Sequence, residues 1–70
     1  MVMLFTSEPD VVLQAQAEHK KITVEIGERC FVMNMIFKDV DGGYHMYVSH
    51  PDYKKRILIH IDDLYVFGIE

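Results

Sequence analysis

The chain has 70 residues, half of them apolar, with eleven acidic against seven basic side chains and a formal net charge of −4. That length holds one domain near the lower limit for a single apolar core, and the apolar share excludes a disordered chain. The acidic balance excludes broad, non-specific nucleic-acid binding, which draws on an excess of Lys and Arg, yet leaves room for a local basic patch.

Cys30 is the only cysteine, so no intramolecular disulfide can form and a reduced, cytoplasmic setting is expected. The apolar opening Met1-Val2-Met3-Leu4-Phe5 is too short for a membrane span. It also lacks the basic flank and long apolar core of a signal peptide, so no membrane contact is expected. Residues 1–70 read as one small domain.

In chain order, the first six residues read as a short strand. Ser7-Glu8-Pro9-Asp10 then reads as a helix start. Ser7 is placed as N-cap, Pro9 in the first turn, and Asp10 closes an imperfect capping box. Gln, Ala, Glu and Lys fill the stretch to Lys21, where Lys20 and Lys21 suit a helix C-terminus, so a helix is predicted over 7–21. The alternation of Val11, Leu13, Ala15 and Ala17 with polar neighbours keeps a strand open over 11–21.

Strands are predicted from 22 to 69. Ile22, Val24 and Ile26 alternate with polar residues, and Gly27-Glu28 ends that strand. Arg29 to Val40 reads as a long strand with Phe31, Met33, Met35 and Phe37 on one face and Cys30, Val32, Asn34 and Ile36 on the other. Apolar on both sides, it is expected to be buried, bent and to hold Cys30 as an inert thiol. Asp41-Gly42-Gly43 predicts a tight hairpin turn with positive φ. Tyr44, Met46 and Val48 mark the next strand, His50-Pro51-Asp52 a turn, and Ile57, Ile59 and Ile61 a strand over 54–61. Asp62-Asp63 breaks the chain before Leu64 to Ile69. The fold expected is mainly β: a short N-terminal helix, then a five-stranded antiparallel SH3-like barrel.

Lys21-Ile22-Thr23-Val24-Glu25-Ile26, then Gly27 and Arg29, then Phe37, Asp39 and Met46, and lastly Ile59-His60-Ile61-Asp62-Asp63-Leu64 follow one order. This order resembles the Sm-like family of small RNA-associated barrels over roughly 7–69. The resemblance implies the barrel fold, ring-like oligomers and RNA contact through the second motif. The RNA-holding positions depart from the family. Tyr47 stands where it has Asn, His60 and Ile61 stand for Arg and Gly, and Asp63 stands for the second Asn. An anion and a bulky aliphatic replace groups that would hold a base and a phosphate, so the resemblance speaks for the fold more than for the activity. Separately, Met46 to Lys54 is similar in cadence to a strand-turn-strand stretch of the phage inhibitors of uracil-DNA glycosylase.

No residue set points to catalysis or to a cofactor. Zinc needs three or four ligands converging at about 2 Å, usually including a close pair, and the four histidines offer none. His45 and His50 fall on opposite faces of a continuous strand. Asp62-Asp63 reads as a polar break rather than an acid–base pair, because adjacent strand residues diverge. Tyr53-Lys54-Lys55-Arg56 can stack a base and hold phosphates, or guard a strand edge against aggregation.

The function expected is a non-enzymatic binding module without cofactor or metal. It is read as a protein-binding adaptor or a phage- or virus-encoded inhibitor that occludes a host protein. Its contact candidates are Tyr44, Tyr47, Tyr53 and Tyr65, with Lys54, Lys55, Arg56, His60, Asp62 and Asp63 beside them, and open strand edges offer homo-oligomerisation. The alternative is an Sm-like oligomer that binds RNA through His60, Lys54, Lys55 and Arg56.

Overall fold

In a computed structural model the chain runs strand, helix and then five more strands, and residues 3–61 and 65–70 are described. The elements are β1 (Leu4–Thr6), α1 (Pro9–Ala17), β2 (Ile22–Ile26), β3 (Arg29–Lys38), β4 (Tyr44–Ser49), β5 (Ile57–His60) and β6 (Val66–Ile69). Of the predicted break Asp62-Asp63 and closing strand Leu64 to Ile69, Asp62, Asp63 and Leu64 lie outside the described residues.

Helix wins over strand in the second segment because Pro9 presets the first turn and Val12, Ala15 and Gln16 share one face at i, i+3 and i+4. The helix is shorter than expected at both ends. Glu8, not Ser7, is the N-cap, and it makes no side-chain cap bond. The C-terminus closes before Lys20. His19 N–H donates to Gln16 O at 3.0 Å and Lys20 N–H to Ala15 O at 3.1 Å, the two bonds of a Schellman motif. That motif puts His19 at φ 59°, a left-handed position usually given to glycine. Lys20 and Lys21 therefore lie beyond the helix.

The strands form one six-stranded antiparallel sheet in the order β1-β6-β2-β3-β4-β5. Gly27 at φ 63° opens the two-residue turn between β2 and β3, and Gly42 at φ 90° serves the β3–β4 hairpin, where positive φ was expected. Asp41 Oδ1 accepts from Gly43 N–H at 3.0 Å and steadies that hairpin.

Closure is where the expected five-stranded barrel is corrected. β1 pairs with β6 through Leu4↔Ile69, Phe5↔Gly68 and Thr6↔Phe67, so β6 has neighbours on both sides. Among the described residues β1 and β5 do not pair, and the sheet stays open with those strands at its edges. Gly68 makes the sixth strand fit. A Cβ there would stand 2.7 Å from Met3 Cε, 3.0 Å from Thr23 Oγ1 and 3.3 Å from Phe5 Cε1.

The core lies between α1 and one face of the sheet. Val24 meets Phe31 on one side and Phe67 on the other, and Ile36 meets Met46. Val24, Phe67 and Met46 are wholly enclosed. Each such side chain contributes roughly 1.5–3 kcal/mol of transfer free energy.

β3 does not keep one parity. The pairs Met33↔Val48 and Met35↔Tyr47 leave Asn34 as an extra residue, a β-bulge. Phe31, Met33 and Ile36 therefore face the core, while Met35 and Phe37 turn to the other side. Cys30 lies on that other side too and is exposed, not buried as the sequence pattern suggested.

Candidate binding surface

Among the described residues no element covers the face of the sheet away from α1, and the bulge loads it with apolar side chains. One row runs across three strands: Met35 of β3, Tyr47 of β4 and Leu58 of β5. Met35 is 49% exposed and Leu58 52%, and Val32, one step along β3, is 42% exposed. A polar outer face is the usual arrangement for an antiparallel sheet with one buried side. A contiguous apolar outer face marks a contact surface.

The next row is aromatic: Phe37, His45 and His60. The rings of Phe37 and His45 stack at 5.7 Å and those of His45 and His60 at 4.5 Å. His45 Nδ1 lies 2.6 Å from Asp39 Oδ2, at ion-pair distance. The guanidinium of Arg56 lies 5.5 Å from the Tyr47 ring centroid, a cation–π contact at the edge of the apolar row.

The four candidate tyrosines separate. Tyr47 is at the centre of the uncovered face. The Tyr44 hydroxyl donates to Asp10 Oδ1, joining β4 to α1, and the Asp10 carboxylate holds that hydroxyl above the usual tyrosine range. Tyr53 is exposed but engaged. It stacks on Phe31 at 6.1 Å, and Arg29 donates to its hydroxyl at 3.1 Å and to Asp52 at 3.2 Å. Its cluster fastens the β4–β5 loop over the β2–β3 turn. Tyr65 is half-buried and packs against the core.

Lys54, Lys55 and Arg56 are exposed and precede β5 rather than forming part of it. Neither lysine has an ion-pair partner among the described residues. Asp62 and Asp63 lie outside the described residues. No three His, Cys, Asp or Glu side chains converge as a metal site among the described residues, and no helix there is long and apolar enough to cross a membrane.

Sequence reasoning missed Val32, Met35 and Leu58 as surface groups. The signal lay in Asn34, a polar residue inside an apolar run, which marks where the strand shifts register. It missed Gln16 as well, whose amide bonds both backbone groups of Ile36: Nε2 donates to Ile36 O at 2.9 Å and Ile36 N–H donates to Oε1 at 2.7 Å.

Comparison of the chain with protein-family models, curated proteins and solved structures finds no match. The functional reading therefore rests on the surface itself.

Proposed function

We propose that the chain is a non-enzymatic, cytoplasmic binding module that docks another protein on the uncovered face of β3, β4 and β5, as an adaptor or as a phage-encoded inhibitor does. One observation carries the reading: Val32, Met35 and Leu58 stand about half exposed around Tyr47 on a face that none of the described residues covers. Apolar side chains beside a tyrosine and an arginine form the usual centre of a protein interface. We also retain the kinship with SH3-like and Sm-like small barrels, supported by the succession of one helix and five strands after Ser7, with β1 added at the β6 edge.

The reading is tested by affinity capture from host lysate. The module retains a stoichiometric protein, and the double variant Met35→Glu/Leu58→Glu loses it. Retention by the double variant, or no retained protein at all, contradicts the reading.

The second reading, an Sm-like oligomer on RNA, is favoured by the Arg56–Tyr47 contact, the stacked His45 and His60 rings and the exposed Lys54 and Lys55 that precede β5. It requires a hexamer or heptamer by light scattering and RNA affinity that falls steeply with salt. Val32, Met35 and Leu58 surround Tyr47 with non-aromatic apolar side chains, where base stacking uses a succession of open rings, and this favours the protein partner.

A further inference from the structure

We propose that the open edge of β5 takes up an extended segment of the partner protein as an added antiparallel strand, with acidic residues at that segment's C-terminal end. The proposal rests on the protein-binding reading and names the mode and the chemistry of the partner.

β5 is the last strand of the sheet and has a hydrogen-bonded neighbour only in β4 among the described residues. Ile61 N–H donates to Tyr44 O at 2.9 Å. Because antiparallel ladders alternate, the N–H and C=O of Leu58 point to the open side. The strand Ile57–His60 carries no Lys, Glu, Asp or Pro, the residues that normally guard an edge. Its guard is displaced: the three cations Lys54, Lys55 and Arg56 stand just before it, two of them without an ion-pair partner among the described residues.

That placement selects a partner by direction. Every pairing in the sheet is antiparallel. An added antiparallel strand runs so that its C-terminal end lies beside the start of β5, where the cations are. Acidic residues there meet Lys54, Lys55 and Arg56, whereas the same residues at the N-terminal end do not. The added strand also extends the row Met35–Tyr47–Leu58 by one position, so an apolar side chain opposite Leu58 covers its exposed half. Main-chain bonds then supply affinity, and the apolar and acidic side chains supply specificity.

The test uses two fluorescein-labelled peptides of one composition. The forward peptide has alternating Val and Thr followed by Glu-Asp-Glu, and the reversed peptide begins with Glu-Asp-Glu. Fluorescence anisotropy at low salt is expected to show saturable binding of the forward peptide and about tenfold weaker binding of the reversed one. Lys54→Glu/Lys55→Glu, two exposed changes, is expected to remove the difference between them. Amide exchange of Leu58 is expected to slow in the forward complex. Equal binding of the two peptides, no saturable binding, or an unchanged Leu58 exchange rate overturns the proposal. Capture of the lysate partner separates the two readings. If Lys54→Glu/Lys55→Glu still captures it while Met35→Glu/Leu58→Glu does not, strand addition fails and the face reading stands. If neither variant nor the parent captures a protein, both fail.

Discussion

Gln16 does the work of a missing strand. β2 pairs with β3 only from Thr23↔Val32 to Ile26↔Arg29, so Ile36 extends past it, and the Gln16 amide bonds the N–H and C=O that β2 does not reach. Gln16→Ala leaves both groups without partners in a part-buried site and is expected to cost about 2 kcal/mol. Urea unfolding checks this as a lower midpoint at unchanged slope. His19 offers the opposite change. In the left-handed position of the Schellman motif it bears a Cβ that glycine lacks, so His19→Gly is expected to stabilise by roughly 0.5–1 kcal/mol, measured as a higher thermal midpoint. Two titrations bear on pH. The Gln14 amide, then Lys20 by hydrogen bond and charge, hold the Glu18 carboxyl below its ordinary 4.5. A carboxyl depressed on folding contributes stability that is present above 4.5 and lost as pH falls through its folded value, so Glu18→Gln is expected to flatten the acid limb of stability against pH. The Tyr44 hydroxyl is raised above 10.0, chiefly by its bond to Asp10. Its contribution is present below that value and lost as pH rises through the folded pKa, and Tyr44→Phe is expected to remove this alkaline loss.

Elements were legible in the sequence where one period governed a whole segment. The alternation in Ile22–Ile26 and Tyr44–Ser49 appears in the structure as strands, and Gly27 and Gly42 sit at positive φ in the turns they were expected to make. Helix ends were less legible, because the Schellman bonds depend on backbone geometry at His19 that no glycine announced. β3 was misread for a different reason. Alternation assigns faces only while register holds, and one extra residue at Asn34 reverses every face after it. The candidate surface was hidden by that reversal, since Met35 was counted as core. Cys30, ahead of the bulge, was given its correct face but was expected to be buried because the strand is apolar on both sides. A thiol packed inside resists modification, whereas Cys30 on the uncovered face is expected to react completely with a thiol reagent in the native state. Protection of the thiol until unfolding would contradict the assigned face.

At the scale of the whole molecule, β1 changes what the sheet can do. By pairing with β6 it removes the free edge at which a closing strand would join, and β5 is left at the far end with an open side among the described residues. The sequence pattern marked a short strand in the first six residues but not its place beside β6, because Gly68 gave no sign of the space it leaves for Met3 and Phe5. An open sheet with one covered face presents the other, and here that face is apolar at its centre and cationic at its rim. Exposed positions tolerate charge at little cost to folding, within about 0.5 kcal/mol, so the face can be altered without losing the molecule. The most direct test compares partner capture by three proteins: the parent, Met35→Glu/Leu58→Glu on the uncovered face, and Val11→Glu on the helix side, where Val11 is also exposed. The parent and Val11→Glu are expected to retain the same stoichiometric partner and the double variant to lose it. Equal retention by all three, or loss with Val11→Glu alone, would place the contact elsewhere and contradict the account.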